Sequence, residues 1–141
     1  MLPFAVLDQL YLEILRRVPD QVFLKRYLAL LVARISASID YRDDALLMDV
    51  SEQELYAKLR RMRSLLKFEP GIDLYHRSFL DFLHNSSRSA HYYIRKQEGI
   101  RRYLELFVES LIRYVSAVIE QPDQYVRSFE LQTTLNRLSQ P

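Results

Sequence analysis

Only two glycines and five prolines punctuate the 141 residues. These residues make tight turns accessible, so a chain this poor in them is unsuited to a fold of many short strands and suited to long helices. Apolar residues make up 49% and charged residues 27%, an ordinary globular balance. The length is that of one domain able to close a core without staples. There are no cysteines, which removes disulfides, thiolate nucleophiles and cysteine metal sites together. The opening stretch MLPFAVLDQLYLEILRR meets Asp8 and Glu13 too early for a secretory leader. The apolar run at 28–32 is far shorter than a bilayer span. A soluble, cytoplasmic protein is expected, and the net charge of +2 is too balanced for a dedicated nucleic-acid binder.

The apolar residues fall at helical spacing. Leu7, Leu10, Tyr11, Ile14, Leu15 and Val18 form one face of a helix that ends before Pro19. Asp20 is the expected N-cap of a second helix over 21–38. Its middle, YLALLVARI, is apolar nearly all the way round and belongs at the centre of the core. Asp43 and Asp44 introduce a short helix through Ala45, Leu46, Leu47 and Met48. Ser51 with Glu54 three residues on is a capping box. Leu55, Leu59, Met62 and Leu66 mark the inward stripe of a third helix, whose other faces carry Lys58, Arg60, Arg61 and Arg63.

KFEPGIDLYH comes next. Pro70-Gly71 suits the central pair of a type II turn, and Ile72, Leu74 and His76 alternate with Asp73 and Tyr75 as in a half-buried strand. A small hairpin pairing 65–68 with 72–75 is predicted. Ser78, with Asp81 three residues later, starts a helix that turns Phe79, Phe82 and Leu83 inward. HNSSRS, 84–89, reads as a polar loop and HYYI, 91–94, as an extended or irregular piece. A long amphipathic helix follows, with Ile100, Leu104, Phe107, Val108, Leu111, Val115 and Val118 on one face, stopping at Pro122. A sparser pattern through Val126, Phe129 and Leu135 suggests one more helix over 123–138. The fold class is therefore mainly α: a winged helix-turn-helix with a small β-hairpin, plus flanking N-terminal and C-terminal helices. The expected divisions are an N-terminal helix over 1–19, the winged-helix domain over 20–95 and a C-terminal helical extension over 96–141.

Three stretches carry a family resemblance: LDQLYLEILRRVPD, SEQELYAKLRRMRSLL, and above all HRSFLDFL followed by SSRSAHYYI. They resemble the region after the nucleotide-binding core in basidiomycete NACHT-domain proteins, members of the STAND class of signalling NTPases. The pattern there is a histidine, a basic residue, Ser-Phe, any residue, Asp-Phe-Leu, then an Arg-Ser pair and an aromatic. Here these are His76, Arg77, Ser78, Phe79, Asp81, Phe82, Leu83, Arg88, Ser89 and Tyr92 or Tyr93. The resemblance runs over about 7–111, and its specific part is 76–83.

The resemblance implies that the winged-helix domain folds back on the core at rest and that His76 reaches the β-phosphate of ADP held there. An imidazole N–H suits an anionic oxygen. The chain departs from the wider pattern in two places: Arg77 stands where related plant and animal proteins often carry an acid, and Gln97 stands where a histidine usually opens the long helix. There is no GxxxxGK[ST] loop and no acidic magnesium-binding strand. The chain is thus expected to be no enzyme and to hold no cofactor alone, meeting ADP or ATP only through a NACHT core supplied elsewhere.

Other readings stand beside this one. On residues alone, His76 on the inward face of a strand is a satisfied structural histidine. The basic side chains Lys58, Arg60, Arg61, Arg63 and Lys67 could follow a DNA groove, although Glu52 and Glu54 sit at the end that usually meets bases. A stand-alone interaction domain, able to self-associate, is the third reading. His84 and His91 lack a third ligand for zinc, Asn85-Ser86-Ser87 is a sequon without a leader, and the adjoining Asp43 and Asp44 do not suit shared acid–base work.

Overall fold

The computed structural model describes residues 4–39 and 43–121, together with Asp123 and Arg137. The described chain is mainly helical, with one two-stranded antiparallel sheet. It divides into two compact units, Met1–Leu106 and Phe107–Pro141. The boundary falls within the last described helix. No helix among the described residues is long and apolar enough to cross a membrane.

The first unit begins with α1 (Ala5–Arg16) and α2 (Gln21–Ser36). Gln21 closes the turn between them, its amide donating to the carbonyls of Leu15 (2.9 Å) and Val18 (2.7 Å). The Asp20 carboxylate caps α2 by accepting from the Phe23 N–H at 3.0 Å, which satisfies one of the donors a helix start leaves free. As the sequence implies, α2 is the central element: every residue from Tyr27 to Arg34 is buried. Each fully buried leucine of this helix contributes about 1.5–3 kcal/mol through water exclusion. Tyr11 and Leu15 on α1 are buried, as is Val18 just beyond its end, but Leu10, placed on the inward face by its spacing, is 50% exposed.

Asp43 caps α3 (Asp44–Met48), accepting from the Leu46 N–H at 3.2 Å. Ser51 caps α4 (Glu52–Leu59), accepting from the Glu54 N–H at 3.1 Å. The predicted inward residues Leu55, Leu59, Met62 and Leu66 are all buried, yet they do not share one helix. The α-helix ends at Leu59, a 3-10 turn spans Arg60–Met62, and Leu66 lies in strand β1 (Leu66–Lys67). β1 pairs with β2 (Asp73–Leu74) in the register Leu66 with Leu74 and Lys67 with Asp73. The hairpin is present, with strands shorter than predicted. Its turn is not type II, because that turn needs positive φ at its third residue and Gly71 does not have it; the Glu69–Pro70 bond is cis.

After the hairpin, α5 (Arg77–Leu83) buries Phe79, Phe82 and Leu83 as expected. Ser78 does not start it. His76 occupies the cap position, and Ser78 lies inside the first turn. The expected polar loop contains α6 (Ser86–Ser89), capped by Asn85, whose side chain accepts from the Ser87 N–H at 3.1 Å. An irregular 3-10 turn, Ala90–Tyr92, follows.

The final helix, α7, spans Lys96–Glu120. Within the first unit its packed residues are Gly99, Tyr103 and Leu106, whereas the predicted inward residues Ile100 and Leu104 are 43% and 56% exposed. A Cβ at Gly99 would stand 3.4 Å from the Ala29 carbonyl oxygen and 3.5 Å from the Ala33 nitrogen. At Gly99 α7 therefore lies close against the α2 backbone, with space for no more than a small side chain, and the buried face falls one position away from the more apolar stripe. In the second unit Phe107, Val108, Leu111 and Val115, also predicted to face inward, are exposed. The helical pattern at 123–138, with Val126, Phe129 and Leu135, lies outside the described residues.

Candidate functional site

A buried polar clamp holds the hairpin that leads to His76. Arg34, near the end of α2, sends one guanidinium nitrogen both to the Asp44 carboxylate (3.1 Å) and to the Ile72 carbonyl. Tyr27, two turns earlier on α2, donates its hydroxyl to the same Asp44 oxygen at 2.8 Å. Arg34 and Asp44 are 3% and 4% exposed. Burial, and then the adjacent Asp44 charge, push the Tyr27 hydroxyl well above its ordinary pKa. One arginine thus ties together α2, α3 and the hairpin, and the Tyr75 N–H closes the ladder onto the Leu65 carbonyl at 3.0 Å.

The strand ends at Leu74, and the alternation that puts His76 inside does not extend past it. Tyr75 is 55% exposed and His76 is exposed. His76 has extended backbone angles, φ −136° and ψ 134°, and its ring makes no capping bond to α5. No described residue bonds the imidazole. The neighbouring Arg77 is exposed too, and with Arg34, Ser38, Asp73 and Tyr75 it lines a hollow of about 340 Å³. The reading of His76 as a satisfied interior histidine is therefore wrong. The ring is an uncommitted donor and acceptor at the foot of a fixed hairpin.

The other residues of the resemblance motif mostly face the opposite way. The hydroxyls of Ser78 and Tyr11 are 2.7 Å apart. Tyr11 also meets Phe79 and Phe82 edge-on, with ring centroids 5.2 and 5.1 Å apart, a favourable arrangement of aromatic quadrupoles. Arg88 forks onto Asp8, at 2.8 Å from one nitrogen and 3.0 Å from another, and lies over the Phe4 ring. Ser89 is fully buried, its hydroxyl donating to the Asn85 carbonyl at 2.8 Å. The Tyr92 hydroxyl donates to Gln21 at 2.6 Å. The Tyr11 and Arg88 contacts clip α1 onto α5 and α6. Of the motif, His76, Arg77 and Asp81 are exposed.

The basic set is divided as well. Lys58 pairs with Asp20 at 2.8 Å and lies over the Phe23 ring. This pairing holds the Asp20 carboxyl below its usual range and the Lys58 ammonium above its own. Lys58 thus joins α4 to the cap of α2. Arg60, Arg61, Arg63 and Lys67 are exposed. His84 points its Nδ1 at the Ile94 carbonyl, 2.8 Å away, while His91 lies against Tyr92. No group of three or more possible metal ligands occurs among the described residues.

Sequence reasoning missed the clamp. One signal was present: an arginine inside YLALLVARI, a helix apolar on all sides, must find a partner if it is buried. Nothing local says that the partner is Asp44. No protein-family model, curated protein or solved structure matches the chain.

Proposed function

We propose that this chain is a non-catalytic regulatory module of a NACHT-type STAND signalling ATPase, a winged helix that docks on the nucleotide-binding core and favours its ADP-bound resting state. The observation that carries the reading is the exposed His76 imidazole at the junction of hairpin and α5, which has no partner among the described residues. An ionisable side chain held at a rigid junction with no internal task is free to meet a group on another polypeptide. The order α2, α3, α4, hairpin, α5 supports the winged-helix assignment. The motif residues that clip α1 to α5 and α6 explain why the resemblance extends well beyond the histidine.

The mechanism is a population shift. Docked, the module adds the His76 hydrogen bond to the β-phosphate of ADP on the core; released, it permits oligomerisation. A hydrogen bond to a charged group is worth about 1.5–3 kcal/mol, which sets the scale of the test. With this chain reconstituted on a cognate NACHT core, His76→Ala should speed ADP release by about 10- to 100-fold. Unchanged release would refute the His76 role.

The exposed Arg60, Arg61, Arg63 and Lys67 favour a second reading, a DNA-binding winged helix. Mobility shifts across salt concentrations separate the two. Tight binding with a steep salt slope, abolished by Arg60→Ala/Arg61→Ala, would support DNA.

A further inference from the structure

A groove of about 770 Å³ runs along α4 beneath the hairpin turn, lined by Glu52, Tyr56, Ala57, Arg60, Arg63, Phe68, Glu69 and Pro70. Its floor is apolar. Tyr56 and Phe68 meet edge-on at 5.5 Å and 89°, and Ala57 and Pro70 extend the surface to either side. The charges are sorted by end. Glu52 opens α4 and accepts the Tyr56 hydroxyl at 2.9 Å. The turn brings Glu69 to this same end: Pro70 shares a second small hollow with Glu52 and Tyr56, and the Glu69 charge helps raise the Tyr56 pKa after the Glu52 hydrogen bond. Arg60 and Arg63 stand at the other end, exposed and without ion-pair partners among the described residues.

The spacing limits what fits. Eight residues of helix separate Glu52 from Arg60, about 12 Å at 1.5 Å per residue. An extended chain covers that distance in about four residues. A nucleic-acid strand places a negative charge at every step and would carry phosphates onto Glu52 and Glu69. An apolar ligand alone would leave both charged ends unused. We propose that this groove binds an extended segment of a partner protein in which an acidic and a basic residue lie three or four positions apart, flanking a bulky apolar side chain. The acidic residue meets Arg60 and Arg63, the apolar side chain lies on Tyr56, Phe68 and Pro70, and the basic residue meets Glu52 and Glu69. This site is independent of His76 and of the reading built on it.

The full chain, immobilised, is challenged with a random dodecapeptide library, and each selected peptide is titrated by fluorescence anisotropy. The library should enrich peptides carrying the stated charge pattern around Leu, Phe or Tyr. Ala57 is exposed, so Ala57→Arg fills the groove without entering the core and should weaken the selected peptide at least tenfold while leaving the melting curve unchanged. Arg60→Glu/Arg63→Glu should weaken it similarly, and exchanging the peptide's acidic residue for lysine should restore affinity to the reversed groove. A structural role for the arginines would not produce that rescue. No enrichment, enrichment of polyanions indifferent to Glu52→Gln, or binding of a DNA duplex lost with Arg60 and Arg63 would each overturn the proposal. A self-association abolished by Ala57→Arg, with no peptide selected, would also overturn it.

Discussion

The Arg34 clamp and His76 sit at the two ends of β2, and both are built from polar side chains, yet their environments could hardly differ more. Arg34 and Asp44 are each at least 96% removed from water, and every strong contact they make is internal. His76 is exposed, with no bond to its ring among the described residues. Removing charge from water is costly unless partners replace the lost solvation, so the clamp can exist only as a set. An exposed imidazole keeps its solvation and carries no such obligation. The contrast separates side chains that make the hairpin's position from the side chain that the position presents.

The largest test removes one member of the set. Asp44→Ala leaves the Arg34 guanidinium buried without its counter-ion and should cost about 3–5 kcal/mol of unfolding free energy, measured by urea denaturation. Replacing both members with apolar residues of similar volume should recover most of that loss, because no charge is then stranded. If Asp44→Ala costs less than about 1 kcal/mol, the clamp does not hold the hairpin and the contrast fails.

A smaller effect is expected at Tyr27. Tyr27→Phe deletes one hydrogen bond to a buried carboxylate and should cost about 1–2 kcal/mol near neutral pH. It should also change the alkaline limb. The folded-state pKa is raised, so its contribution is fully present below the unfolded value of about 10 and is lost as pH rises through the higher folded value. Stability of the wild-type chain should therefore fall above about pH 10, and the fall should be shallower in Tyr27→Phe. Denaturation curves at pH 8 and pH 11 decide it.

The smallest effect belongs to the other member of the comparison. His76→Ala should change unfolding free energy by less than about 0.5 kcal/mol, as exposed sites without partners do. A loss above about 1 kcal/mol would show that the ring has internal work and would weaken any docking role.

What could be read in advance follows the same division between local and distant causes. The caps at Asp20, Asp43 and Ser51, and the central position of α2, are local patterns and were legible. Asn85 carried a cap signal too, but the surrounding serines made 84–89 read as a loop. On α7 the more apolar stripe, Ile100, Leu104 and Phe107, is not the one that packs; Gly99, Tyr103 and Leu106 do, because contact with α2 overrides periodicity. The alternation of Ile72 and Leu74 points His76 inward, but the strand ends at Leu74 and the alternation ends with it. The Arg34–Asp44 pair bridges separate elements ten residues apart, so no spacing rule could find it. The role proposed for His76 rests on the resemblance alone, whereas its exposure is a property of the fold.

Gly99 has a mechanical consequence. A Cβ at this position would already be in van der Waals contact with the Ala29 carbonyl oxygen, the Ala33 nitrogen and the Val32 side chain. A single methyl group would therefore fit there, while a longer side chain would have to find room between two backbones. The depth to which α7 beds onto α2 is thus governed by the bulk of one residue.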